Sequence, residues 1–278
     1  MADFRGVKPG LLAAVLAAAI LTPLSRAEAV SICVLGNEAV RISSETSRVL
    51  IDGIYREGFP EDVILSAALR ERIETAEAEF SNLDLVLITH SHIDHFDADA
   101  VARHFKSNPA ARLISTTEVV AALNELVSAY RMEAVEPSLT PVQRDFGGIR
   151  VTVFNLHHGE ANSTQNLGFL FEIDGVSIFH LGDTMADRED LKAAGLNKLK
   201  VDIALVPFWY YLSEERAKQL DGILKAGLIV PIHLPKPDAD KDYIKRFGGF
   251  AGLQEAIEKI RPNTILFEGG AGCLADVK

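Results

Sequence analysis

The sequence predicts an α/β protein of the α+β kind, with two mixed sheets packed face to face and helices on the outside. Two observations lead there. Each half of the chain runs through short β-branched segments first and strand–helix alternation afterwards, and the early segments of each half are joined by tight turns that force antiparallel pairing. The segment from 30 to 278 carries no low-complexity linker, and 48% hydrophobic with 24% charged residues is the balance of a globular domain. A doubly wound parallel sheet fits these hairpins less well.

In chain order, strands are expected at 31–35, 39–43 and 48–52, joined by Gly36-Asn37 and by Ser44–Ser47. Residues 63–80 place apolar side chains at helical spacing and predict mostly helix. A buried-type strand follows at 83–89, then helices at 98–105 and 117–130. Strands at 149–156, 167–173 and 176–181 form the second antiparallel series, with Asp174-Gly175 as a tight hairpin turn. Short strands at 201–207, 228–232 and 264–267 alternate with helices at 213–225 and 250–260.

Residues 1–29 predict an export signal: Arg5 and Lys8, an apolar run from Leu11 to Leu21, then Pro23 and the small-x-small Ala27-Glu28-Ala29. That run is too short to span a bilayer. One folded domain is therefore expected over 30–278, periplasmic or secreted, with no stable membrane span once the signal is removed. Twenty-eight basic against 39 acidic residues, a formal charge of −11, argues against nucleic acid as a partner. A small molecule at a locally positive metal site remains compatible. Cys33 and Cys273 either pair in an oxidising compartment or stay as separate buried thiols.

Chemistry concentrates at strand ends. His90, His92, Asp94 and His95 follow the apolar run Leu85–Ile88 within six positions. At i and i+2 of an extended segment, His90 and His92 chelate one ion, while Asp94 and His95 turn toward a second position. Three further strands end in His157-His158, in Gly182-Asp183-Thr184 and in His233. Five histidines with two carboxylates and no thiolate suit two divalent ions, zinc first, with manganese or iron also compatible.

These four motifs, in this order and spacing, resemble the metallo-β-lactamase-fold metal-dependent hydrolases across essentially all of 30–278. The resemblance implies a four-layer αββα sandwich with a dinuclear site at one edge of the sheets. It implies His90, His92 and His158 on the first metal, Asp94, His95 and His233 on the second, and Asp183 bridging both. Glyoxalase II-like and lactonase members usually carry His-Thr-Pro-Gly-His around the third ligand. Here Leu156-His157-His158-Gly159-Glu160 and Asn166-Leu167-Gly168 look more like the broad branch of ascorbate-phosphate-lactonase-like and phospholipase-D-like hydrolases. Neighbours on a strand face opposite ways, so one of His157 and His158 is the ligand, and His158, directly before the glycine, is preferred.

The expected activity is hydrolysis of an ester, lactone, phosphodiester or related bond of a small molecule, by a water that two cations acidify. Asp94 and Asp183 are the catalytic candidates, Asp94 beside the nucleophile and Asp183 setting the metal–metal distance. A metal-binding sensor with little turnover is the alternative from another class, and a di-iron redox enzyme is a third. Trp209 and Tyr210, after the strand ending at Pro207, either wall the substrate pocket or cover the core. His180 is expected to support the site and His104 to be exposed. Thr184 either bonds a ligand or caps a turn.

Overall fold

The computed structural model of the protein describes residues 30–159, 164–267 and 270–277. The expected export segment, residues 1–29, lies outside the described residues.

The chain opens with three antiparallel strands, β1 (Val30–Gly36), β2 (Ala39–Ser43) and β3 (Arg48–Ile51). Then α1 (Ala67–Glu74), β4 (Leu85–Leu87), α2 (Ala98–Ser107), β5 (Arg112–Thr116), α3 (Thr117–Leu123) and β6 (Met132–Val135) alternate, and β3 to β6 pair in parallel. A second antiparallel series holds β7 (Val142–Phe146), β8 (Ile149–His158), β9 (Thr164–Ile173) and β10 (Val176–His180). After α4 (Arg188–Ala193), the parallel strands β11 (Lys200–Pro207) and β12 (Lys225–Ile232) flank α5 (Glu214–Ile223). The short α6 (Asp242–Arg246), α7 (Phe250–Ile260) and β13 (Gly272–Val277) follow, with β13 returning antiparallel to β1.

The strands form a seven-stranded sheet, β13-β1-β2-β3-β4-β5-β6, and a six-stranded one, β12-β11-β10-β9-β8-β7. Alternation along each strand decides the layers. Val49 and Ile51 join Leu87, Val153, Phe169 and Leu205 in the core between the sheets, while Leu50 and Val86 face outward onto Val101 and Leu123 of α2 and α3. On the far side, Phe179 and Ala204 pack on Leu220 of α5 and Leu253 of α7. Helix, sheet, sheet and helix follow one another, which is the four-layer αββα sandwich.

Several predicted elements change. The expected helix over 63–80 is confined to α1 and a short 3-10 turn at Ala78–Phe80. Ser66 caps the start by accepting from the Leu69 N–H, and Ala76 and Ala78 adopt left-handed φ of 53° and 51° that break the spiral. The helix over 117–130 stops after Leu123. The segment 264–267 makes a single bridge, Ile229 to Thr264, rather than a strand, and β13 takes the place of the last strand. β5, β6 and β7 carry no long apolar alternation and were not predicted. The cysteines are disulfide-bonded: Cys33 and Cys273 face each other in the β1–β13 ladder. His104 is fully buried on the inner face of α2, its Nδ1 2.6 Å from Ile73 O, because an inward helical position with a carbonyl to bond tolerates an imidazole.

Candidate metal centre

The parallel strands point their carboxyl ends to one edge, and that is where the histidines and aspartates gather. From the first sheet, β3 leads to Asp52, and the chain after β4 runs through Thr89 into His90, His92, Asp94 and His95. From the second, β8 ends in His158, β10 leads to Asp183 and β12 to His233. Two groups form: His90, His92 and His158, and Asp94, His95, Asp183 and His233. Within each, the candidate ligand atoms lie within 4.8 Å of one another.

In the first group, His92 Nδ1 lies 3.0 Å from His90 Nε2 and 3.1 Å from His158 Nε2. Neutral imidazoles carry one N–H each, so three converging ring nitrogens are a poor hydrogen-bonded cluster and a good cation cage. Asp183 faces both groups. Its Oδ2 lies 3.8 Å from the Nε2 of His90 and of His158 and 3.6 Å from that of His95, while its Oδ1 is 3.4 Å from His233 Nε2. Asp94 Oδ2 lies 3.2 Å from His95 Nε2 and 3.4 Å from His233 Nε2. Asp94 Oδ1, Asp183 Oδ1 and His95 Nε2 are buried without a hydrogen bond of sound geometry. Such groups cost about 1–3 kcal/mol each when left unsatisfied, and a cation at their centre removes that cost. The residues fit divalent metal.

Charge inside the cluster is set by burial and by Asp183. Burial, with His95 adding to it, pushes the His90 imidazole well below its usual range, so it is a neutral donor. Burial also lowers His158. For His95 and His233 burial is the largest influence and pulls downward, but the surrounding carboxylates together outweigh it, Asp183 foremost, with Asp52 at His95 and Asp94 at His233, and raise both well above the ordinary histidine value. Asp94 and Asp183 are pushed up by burial and held well below the carboxylate range by His233 and His95. A metal held by His95 and His233 would have to displace their protons, so affinity should rise with pH. Calorimetry of zinc uptake near pH 7 in two buffers of different ionisation heat should show on the order of one or two protons released.

Supporting residues that the motif reading did not include hold the ligands in place. Asp52, fully buried, accepts from the Thr89 N–H (2.8 Å) and hydroxyl (2.6 Å) and lies 2.9 Å from His95 Nδ1. The tautomer with hydrogen on Nδ1 leaves His95 Nε2 for metal. Asn37 Nδ2 donates to Asp94 Oδ2 (2.9 Å), and Asn166 Oδ1 accepts from the Asp183 N–H (3.1 Å). Gly182 is required: its φ is +60°, and a β-carbon there would meet Asn166 Oδ1 at 2.4 Å. Asn37, Asp52 and His233 also sit at left-handed φ of 48°, 46° and 56°. The strand-end rule that found the ligands would have found Asp52 had it been applied to β3. Asp52→Asn is expected to lower zinc affinity roughly 10–100-fold, as chelator competition would measure.

The remaining candidates separate clearly. His157 is half exposed, with its Nε2 turned toward Asp190 at 3.8 Å and away from the cluster. The Trp209 ring lies 5.2 Å from that of His233, and its Nε1 donates to Thr184 O. Tyr210 is buried, and its hydroxyl donates to Ala186 O, which places it under the site in the helix-side core. His180 is buried, with Nε2 donating to Glu38 O and Nδ1 accepting from the Gly182 N–H. Thr184 closes a turn, its hydroxyl donating to His157 O and accepting from the Ala186 N–H. Glu38 is fully buried beside Asp52 and His95, and burial together with Asp183 raises its carboxyl well above the usual range.

Sandwich and cluster together define a class, the metal-dependent hydrolases of the metallo-β-lactamase fold. Residues 47–239 match the family described as the Beta-lactamase superfamily domain, and the chain belongs to it. A UPF0173 metal-dependent hydrolase of Thermococcus onnurineus is 28% identical over 250 residues, covering 84% of this chain and 96% of that one. Among solved structures, the metallo-hydrolase Igni18 of Ignicoccus hospitalis has a TM-score of 0.58 at 17% identity, covering 88% of this chain and 98% of its own. The metallo-β-lactamase fold protein YhfI of Bacillus subtilis has a TM-score of 0.60 at 12% identity, covering 89% and 99%. Both structures share the fold.

Proposed function

We propose that the protein is an exported hydrolase that holds two divalent ions, zinc foremost, and cleaves an ester, lactone, phosphodiester or related bond of a small molecule. The observation that carries this reading is Asp183, one carboxylate facing two separate ligand groups at 3.4–3.8 Å. His90, His92 and His158 would hold the first ion, Asp94, His95 and His233 the second, and Asp183 both. Nitrogen and oxygen donors without thiolate suit zinc, with manganese or iron as substitutes.

When bound, the ions supply Lewis acidity toward the substrate oxygen and a water acidified toward neutrality. The chain's own residues do the rest. Asp52 and Thr89 fix the His95 ring, and Asn166 with the Gly182 turn aims the Asp183 carboxylate. Asn37 ties down one oxygen of Asp94, leaving Oδ1 to orient the water or accept its proton. Burial of His90, His95 and Asp94 keeps bulk water off the ligands, which strengthens each electrostatic contact.

Export is supported by the basic and apolar start of the sequence and by the Cys33–Cys273 bond, which persists in oxidising compartments. Among the described residues no helix is long and apolar enough to cross a membrane.

Metal analysis and a hydrolysis panel with zinc-, manganese- and iron-loaded protein test the reading. His158→Ala should lose bound metal and activity together, and His157→Ala should keep its metal. The same metal content and turnover in the two variants would sink the proposed ligand set.

A further inference from the structure

The mouth of the metal centre is apolar. Of the large apolar side chains that stay exposed among the described residues, Phe59, Ile64, Ile93, Leu139 and Met185 lie on segments that carry or flank the cluster. Ile93 stands between His92 and Asp94. Met185 follows Asp183 by two residues and its N–H donates to His157 O. The loop of Phe59 and Ile64 rests on Asp94: a β-carbon on Gly58 would lie 3.3 Å from Ile64 Cγ1 and 3.4 Å from Asp94 Cβ. Scattered exposed apolar residues are ordinary, but their gathering around one site marks a binding surface.

Where Asn166 meets the Asp183 N–H, a cavity of about 660 Å³ adjoins the cluster, with Leu139, Leu156, Ala186 and Ala193 as its apolar wall and Leu139 shared with the rim. His157, the neighbour of ligand His158, and Asn166, which positions Asp183, belong to the same lining. The volume suits a small organic molecule. No lysine or arginine lines it, and Asp190 contributes a carboxylate. With the chain's formal charge of −11, the cavity disfavours a phosphate or carboxylate group. Among the described residues of its lining, Gln165 Oε1 is a buried acceptor without a hydrogen-bond partner, while Gln165 Nε2 donates to Val135 O and Asn155 Oδ1.

We infer that the substrate is an uncharged carboxylic ester or lactone whose apolar chain occupies the Leu139–Leu156–Ala186 cavity while its carbonyl faces the metal centre. The inference rests on the hydrolase reading above and deepens it. Water oxygen bonds to the acyl carbon as the acyl C–O bond breaks. The electron pair leaves with the alcohol oxygen, which takes one proton from that water, and the acid keeps the other.

Turnover and binding test this separately on the zinc-loaded full domain. Across p-nitrophenyl esters from acetate to octanoate, kcat/KM should rise about fourfold at best per added CH2. Bis(p-nitrophenyl) phosphate should be turned over poorly. Trp209, the chain's single tryptophan, sits beside His233 and reports binding without chemistry. Its emission should respond to 2-nonanone, a neutral carbonyl that cannot be hydrolysed, at lower concentration than to 2-butanone and far lower than to octyl phosphate. Leu139→Asp, at an exposed position, should flatten the chain-length gain. Rates flat with chain length, or preference for the phosphodiester and octyl phosphate, would overturn the inference while leaving a hydrolase. Length-dependent ketone binding with no turnover of any ester or phosphodiester would instead fail the hydrolase reading and leave the apolar ligand site standing.

Discussion

Asp183→Ala is expected to lower kcat/KM by at least roughly 10³-fold, about 4 kcal/mol of transition-state stabilisation. No other carboxylate among the described residues contacts both ligand groups. Its loss leaves three histidines on one side and His95, His233 and Asp94 on the other, with nothing to hold the two together. On the proposed two-ion reading, bound metal should fall from two ions to one or none, as metal analysis of the dialysed protein would read. The backbone should survive, because the Gly182 turn is held by main-chain and Asn166 contacts that alanine keeps. Wild-type metal content and rate in this variant would remove the bridging role.

Removing the disulfide is the second large effect. In Cys33→Ser with Cys273→Ser, the bond lost spans a sequence separation of 240. Chain-entropy arguments put the stabilisation from so long a loop near 5 kcal/mol, and measured native bonds are worth roughly 2–5 kcal/mol. For a domain of this size that is a fall on the order of 10 °C in Tm. The cause is topological: β13 is an edge strand with β1 as its sole sheet neighbour, and half of its residues are exposed. A thermal scan with and without reductant would show the shift, and an unchanged Tm would mean that the β1–β13 ladder holds without the bond.

Much of the cluster was legible because its candidate ligands are local in sequence. His90, His92, Asp94 and His95 fall within six positions, and His158, Asp183 and His233 each stand at the end of a run that the apolar pattern marks as a strand. The two hairpin series were legible through their turns. By contrast, β5, β6 and β7 are short or mixed in polarity, and a short apolar run reads equally as helix or strand. The α1 region misled because helical spacing extends beyond what the backbone at Ala76 and Ala78 allows. His104 looked exposed beside Lys106, yet its face of α2 turns inward onto Ile73 O.

Local pattern, then, determined the two-sheet class, the histidine and aspartate candidates and the strand ends that carry them. Tertiary structure alone decided that the two cysteines meet, how Asp52 and Asn37 brace candidate ligands tens of residues away, that His157 turns outward, and that a cavity with an apolar wall lies beside Asn166. The physical reason is range. Periodicity and motif spacing are set by neighbours along the chain, whereas pairing, bracing and cavity shape come from contacts between segments that meet when the two sheets close on each other.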